Sequence, residues 1–287
     1  MKKLLLIDSH ALIHRMFHAM APLTLANNEP IGAVYGLAGL TLKIMTETIK
    51  PDYVAACFDR PEPTFRKESF GGYKAQRAPA HPDLIPQFDR SRHMFEKFKI
   101  KIFELPGFEA DDLIGTLACK LKDTPDLQVI ILSGDRDMLQ LVEDDKVVCH
   151  MLQPSGSETT YYNEAKVIEK YGLKPKQVID LKGLIGDTSD NFPGLKGVGE
   201  KTATPLLQEF GTVEGIYDNL VIVPQKTAKK FEGQLDVALK YKKLATIECN
   251  APIFLDSIED VRAIPIDTEA LKAYFNEMGF VSLMRRL

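Results

Sequence analysis

"GFEADDLIGTLA", residues 107–118, crowds Glu109, Asp111 and Asp112 into four positions and then enters an apolar helical pattern. Like charges this close disfavour one another's ionised form unless a cation or hydrogen-bond donors compensate them. One reading is an ordinary first helical turn, where acids complement the macrodipole and free amides. The other is a ligand-binding turn, and the rest of the chain has to decide. Four short apolar runs, "LLLI" (4–7), "YVAACF" (53–58), "KIKIFEL" (99–105) and "QVIILS" (128–133), alternate with helical patterns. That alternation predicts an α/β fold with a mainly parallel central sheet flanked by helices. Asp8 follows the first run, Asp59 ends the second, Glu109, Asp111 and Asp112 open the helix after the third, and Asp135 and Asp137 follow the fourth in "SGDRD". Each falls at the carboxyl end of a predicted strand, the edge at which open α/β sheets bind ligands. Helix capping alone does not account for acids after all four strands.

Composition narrows the class. With 45% hydrophobic and 26% charged residues, the 287-residue chain has globular averages, enough for one large domain or two modest ones. No apolar run approaches a spanning helix, and "MKKLLLID" reaches an acid too early for a signal-peptide core. It reads as the first buried strand of a cytoplasmic protein. Cys57, Cys119, Cys149 and Cys249 are scattered without a CxxC, so reduced core thiols are expected rather than a zinc or redox motif. A net charge of −4 argues against indiscriminate nucleic-acid binding but leaves room for a local basic surface.

After about residue 163 strand signals fade and helical patterns take over. We therefore expect an α/β domain at 1–175, with an insertion at about 60–98, and a mostly helical lobe at 176–287. In that lobe "GDTSDN" adds Asp187 and Asp190, three residues apart and so on one side of a helical turn. An all-oxygen set of carboxylates suits hard cations, Mg²⁺ or Mn²⁺, and so many suggest more than one ion, as in phosphate displacement. Arg60 to Lys101 holds ten basic against five acidic side chains, with Phe65, Phe70, Tyr73 and Phe88 interleaved. Cations for phosphates with aromatic faces for bases is the chemistry of single-strand binding. In "GLKGVGEKTATPLLQEFG" (194–211), Gly197 and Gly199 permit a tight turn into a helix near Glu200, leaving backbone amides for a phosphate.

Together "LLLIDSHALIHRMFHA", "CFDRPEPTFRKESFGGYKAQR", "GFEADDLIGTLA", "SGDRDMLQLV" and "LKGLIGDTSDNFPGLKGVGEKTA" resemble the 5′ nuclease domain of bacterial family A DNA polymerases, within the flap endonuclease superfamily. The likeness is collinear over nearly the whole chain, and "YFNEMGFVSLMRRL" looks like the end of that domain, which suggests a freestanding paralogue. It implies a PIN-like fold with a helical arch and a helix-hairpin-helix, and two-metal-ion hydrolysis of DNA at 5′ flaps, 5′ ends and nicks by a monomer. By the same likeness Asp8, Asp59, Glu109, Asp111, Asp112, Asp135, Asp137, Asp187 and Asp190 would serve Mg²⁺ or Mn²⁺. Tyr73, Lys74 and Arg77 would be the catalytic arch residues, the tyrosine stacking near the scissile nucleotide. Arg66, Gly197, Val198, Gly199, Lys201 and Thr202 would contact DNA, with K⁺ at the hairpin.

His10, Arg60 and Arg136 depart from the family's usual residues without removing a carboxylate. His10, His14 and His18 share one helical face with zinc-like spacing but have no matching fourth ligand, so packing or DNA contact is expected of them. Two other classes compete with the nuclease: a DNA-binding paralogue that has lost hydrolysis, and an RNA-directed nuclease.

Overall fold

The computed structural model describes residues 1–287. The four expected strands form as β1 (Lys2–Asp8), β2 (Tyr53–Cys57), β3 (Lys101–Phe103) and β4 (Leu127–Ser133), and the sheet continues through β5 (Val147–Leu152) and β6 (Thr159–Tyr162). The order is β3-β2-β1-β4-β5-β6, parallel throughout except for the antiparallel edge strand β6. The last two strands escape the sequence reading for a physical reason. β5 is interrupted by His150, and β6, "TTYY", is a half-buried edge with no apolar run to announce it.

Side-chain alternation sorts the sheet into two cores. Leu5 and Ile7 of β1, Val54 and Ala56 of β2, and Ile130 and Leu132 of β4 face one side. Leu4, Leu6, Tyr53, Ala55, Val129 and Ile131 face the other. Continuous apolar runs are what a strand buried on both faces requires. Helices α1 (Ser9–Ala19), α2 (Gly32–Lys43) and, beyond the short α3 (Phe65–Ser69), α4 (Ile85–Lys97) cover the first face, and α5 (Ala110–Leu121) covers the second.

The rest of the chain is helical, but it is not one lobe. α6 (Glu164–Tyr171) packs Val167 into the second sheet core. α7 (Val178–Ile185), α8 (Glu200–Phe210), α9 (Val213–Asp218), α10 (Gln225–Ala228) and α11 (Leu235–Ala245) build a separate core around Leu184, Leu207 and Phe231. The chain then returns: Ile247, Ala251, Leu255 and Val261 line α5's face of the sheet. α12 (Thr268–Glu277) and α13 (Val281–Met284) pack Leu271, Phe275, Phe280 and Leu283 into the first core. The expected lobe at 176–287 thus ends near 245, and the tail belongs to the α/β unit. Helical spacing shows that the tail has an apolar face, but not which core accepts it.

The thiols also depart from expectation. Cys57 and Cys149 are buried, whereas Cys119 on α5 and Cys249 on the returning segment are half-buried and face each other with sulfurs 2.6 Å apart. No helix is long and apolar enough to cross a membrane.

Candidate active site

From β1 the chain moves to β2 and β3 on one side, then crosses to β4 on the other, so the carboxyl ends of β1 and β4 flank the switch point of the sheet. Asp8 stands there as the N-cap of α1, accepting from the Ala11 amide and the Ser133 hydroxyl. Burial, reinforced by Asp135 and Asp59, outweighs those hydrogen bonds and pushes its carboxyl up to about 7. Asp59 accepts from the Ala110 amide at 2.6 Å, which holds it beside the start of α5. Asp111 is pushed well above the ordinary carboxylate range by burial, then by Asp8 and Asp135. Asp135 is fixed by Ser133, whose hydroxyl accepts from its amide at 2.8 Å. Asp8, Asp59, Glu109, Asp111 and Asp135 line one cleft of about 420 Å³.

Asp112 does not join them. It is fully buried and accepts a bidentate pair from Arg66 at 2.7 and 2.8 Å, plus the amides of Glu248 and Glu109. Those four bonds occupy both oxygens, so the expected metal-ligand role is corrected to a structural one. Arg66 is corrected with it. The guanidinium is 3% exposed and also donates to Glu109 and to the carbonyls of Leu244 and Thr246. It therefore pins α3, α5 and the end of α11 together and presents nothing to DNA. In sequence a buried arginine and a DNA-facing one look alike.

The insertion between β2 and β3 is also less open than its composition suggested. Arg60 and Arg92 share Glu104, and Arg90 pairs with Glu29. Phe88 stacks on His10 at 4.3 Å, Phe65 packs on Phe108, and Phe70 lies against Tyr241. The aromatics thus serve packing rather than a free base-stacking surface. Residues 70–77 form a turn rather than a helical arch and dock on the acidic turn at 187–191. The Lys74 amide donates to the Asp190 carbonyl, and Asn191 donates to the Gly72 carbonyl. Tyr73 is 3% exposed and donates its hydroxyl to Glu109 at 3.0 Å, which corrects the expected nucleotide stacking to an orienting contact. Lys74 donates to the other Glu109 oxygen at 2.7 Å. Burial opposes its charge, but Glu109, Asp111 and Asp190 prevail and raise its pKa. Arg77 reaches Asp190 at 2.8 Å. The histidine face is partly absorbed: His10 is stacked and accepts from the Asp59 amide, while His14 and His18 line the neighbouring cleft.

Asp187 and Asp190 sit in a tight non-helical turn closed by a bridge between Asp187 and Phe192, not on the expected helical face. Gly186 and Gly194 enclose it, with φ of +83° and +70° and with room for no Cβ, since one built on either would fall 2.2–2.5 Å from the facing backbone. Oxygens of Asp137, Asp187 and Asp190 lie within 4.8 Å of one another. Lys182, which the sequence reading missed, bridges Asp137 and Asp187. Burial, then Asp135, pushes Asp137 up to about 6 against the pull of Lys182. For Asp187 burial is outweighed by Lys182 and Ser189, and its pKa is held below the usual range. The available signal was a lone lysine five residues before the first aspartate, on the helix leading into the turn.

The hairpin lies at the start of α8. Gly197 has φ +79°, whereas Gly199 is extended with φ −126°, so only Gly197 needs glycine's freedom. Gly199 is the N-cap with no side-chain cap, and Lys201 is exposed. Val198 is 7% exposed and part of the lobe core, so its side chain is a packing residue rather than a DNA contact.

Comparison with known proteins shows the family to which this fold belongs. Residues 3–172 match the family described as 5′-3′ exonuclease, N-terminal resolvase-like domain, and residues 173–269 match 5′-3′ exonuclease, C-terminal SAM fold. The chain is 40% identical over 287 residues to DNA polymerase I of Caldicellulosiruptor bescii, covering 99% of this chain and 33% of that one. It is 39% identical to DNA polymerase I of Bacillus subtilis, covering 100% and 32%. The chain therefore spans about a third of the length of these relatives. In fold it is similar to the bacteriophage T5 D15 flap endonuclease in a pseudo-enzyme-product complex with DNA and metal ions, with a TM-score of 0.68, 23% identity, and coverage of 85% and 89%. With both halves of the pattern present in order and abutting at 172/173, the chain belongs to the 5′-3′ exonuclease family.

Proposed function

We propose that this chain is a structure-specific 5′ nuclease that hydrolyses DNA phosphodiesters at 5′ flaps, 5′ ends and nicks, acting as a monomer on chromosomal DNA in the cytoplasm. The observation that carries the reading is the convergence of Asp8, Asp59, Glu109, Asp111 and Asp135 on one cleft at the switch point, where burial and mutual repulsion make Asp8 and Asp111 resist ionisation. Buried carboxylates that repel one another demand a cation, and an all-oxygen donor set selects Mg²⁺ or Mn²⁺. Asp8, Asp59, Glu109, Asp111 and Asp135 would hold one ion, and Asp137, Asp187 and Asp190 a second. When bound, such ions lower the pKa of the attacking water and neutralise charge on the phosphate and the leaving oxygen.

The remaining work falls to the protein's own groups. Tyr73 and Arg66 hold Glu109 in one orientation, so the carboxylate presents a fixed oxygen to the cleft. Lys74 places an ammonium at that rim, where a scissile phosphate exchanges for part of its contact with Glu109. Arg77 offers a second cation to the same strand. In the hairpin Gly197 to Thr202, the amides of Glu200 and Lys201 at the start of α8 would meet a duplex phosphate, with K⁺ assigned to this hairpin on the same reading. A Mg²⁺-dependent assay on a 5′ flap, a nicked duplex and an RNA stem tests it. Flap and nick cleavage is expected. Tight DNA binding without cleavage in either metal would instead mark a DNA-binding paralogue, and cleavage confined to RNA would mark an RNA-directed nuclease.

A further inference from the structure

The two carboxylate groups differ in what stands among them. In the switch-point cleft the cations stand at the margin: Lys74 and Arg66 contact Glu109, Arg77 lines the wall, and none bonds Asp8, Asp111 or Asp135. The second group contains one at its centre. Lys182 contacts Asp137, which follows β4, and Asp187, from the turn after α7, while Asp190 takes Arg77. The lysine is 18% exposed and Asp187 11%, so this is not a solvent-screened surface pair. Three carboxylates whose oxygens lie within 4.8 Å of one another would otherwise repel across two separately folded elements. An ammonium touching two of them occupies the position from which a divalent ion would bridge the same two. Like charges at contact distance exclude each other, so ammonium and ion cannot both be seated.

We propose that Lys182 is the resident counter-ion of the second cation site: it holds Asp137 and Asp187 together while the site lacks an ion, and it must swing aside before one binds. This rests on the two-ion reading above and deepens it. The consequence is ordered loading. The switch-point site fills first, and the second fills only at higher metal concentration, because its ion must displace a bonded cation. The lysine has a place to go, since it lines a cleft of about 550 Å³ whose other walls include Thr188 and Glu200.

The test is Mn²⁺ binding to the full chain without DNA, read by the EPR signal of free Mn²⁺ and by titration calorimetry. Wild type is expected to show one tight site and one about tenfold weaker or more; Asp111→Asn should remove the tight site and Asp190→Asn the weak one. Lys182→Met should tighten the weak site about tenfold and leave the tight site unchanged, whereas Lys182→Arg, which keeps the charge, should stay near wild type. Without metal, Lys182→Met should melt at a lower temperature and regain more on Mn²⁺ addition than wild type does. Lys182→Gln, which keeps a donor toward the carboxylates, carries the same expectation if the methionine variant does not fold. A weak site unchanged or weakened in the neutral variants, with the tight site intact, overturns the inference and leaves the two-ion reading standing. No binding at either group in any variant overturns both.

Discussion

The carboxylates at the sheet edge and the two at the lobe turn, Asp187 and Asp190, are the same residue types, yet their charges are compensated differently. At the edge, Asp8 and Asp111 converge from two elements, and burial, then neighbouring carboxylates, raises their pKa values against the pull of Lys74 on Asp111. At the turn, Asp187 is held down by Lys182, and Asp190 has Arg77. The edge carboxylates therefore bear a burial cost, added to by their mutual repulsion, that a bound cation would offset, whereas Asp187 and Asp190 are already paired by the chain. A carboxylate's availability is set by the nearest cation, not by its place in a motif, and Asp112 beside Asp111 is the extreme case.

The largest effects should come from separating those neighbours. Asp111→Ala is expected to slow flap cleavage about a thousandfold or more, since a lost ligand disrupts several kcal/mol of transition-state stabilisation, while stability holds or improves as repulsion is relieved. Asp112→Ala should instead strip the buried Arg66 guanidinium of its bidentate partner and leave it only the longer contact with Glu109, costing about 3–5 kcal/mol and lowering Tm by about ten degrees. Thermal melts beside single-turnover assays check both. Equal melting temperatures for the two variants would erase the distinction.

Next in size is the rim cation. Lys74→Ala should slow single-turnover cleavage about a hundredfold with near-normal DNA affinity, as expected for a contact made mainly in the transition state. Lys97→Ala, on α4, should shift only the salt dependence of binding, by about one in slope. If both variants slow cleavage equally, Lys74 acts by diffuse attraction alone.

A smaller effect exposes the cost of burying these carboxylates directly. With divalent ions chelated, the native state keeps protons on Asp8 up to about 7 and on Asp137 up to about 6, whereas the unfolded chain releases them at the ordinary aspartate value of 3.8. The native state binds more protons in that window, so stability is greatest at its acid end and is lost as pH rises toward neutrality. Asp187, with a depressed pKa, has the opposite sign, but its contribution is lost only below the ordinary carboxylate range. Tm in chelator should therefore fall by a few degrees between pH 5 and 7.5, and Asp8→Asn should flatten the slope. A Tm that rises across this range would show that the edge carboxylates are already compensated.

The smallest contrast is at the hairpin. Gly197→Ala forces a side chain into φ +79° and should cost about 1 kcal/mol. Gly199→Ala meets no atom within 4 Å and should change stability by less than about 0.5 kcal/mol, yet its methyl at the start of α8 should weaken duplex binding several-fold. Melts and duplex titrations separate the two. Undiminished duplex binding by Gly199→Ala would mean that this helix start does not meet the phosphate backbone.

Local pattern alone determined much of this protein. Apolar runs of strand length ending in acids placed β1, β2, β3 and β4 and put Asp8, Asp59, Asp111 and Asp135 at one edge, because strand direction and pleat are local properties that a parallel sheet preserves. Helix starts such as Glu200 were equally legible from the glycines before them. Only the tertiary structure decided partners. That Arg66 meets Asp112, Tyr73 meets Glu109, Lys182 meets Asp137, and the 246–287 tail returns to the sheet depends on contacts between residues 36 to more than 200 positions apart. Charge compensation and burial are properties of such distant pairs. A residue's own neighbours in sequence therefore show that it can be a ligand, a strut or a DNA contact, and the fold selects among the three.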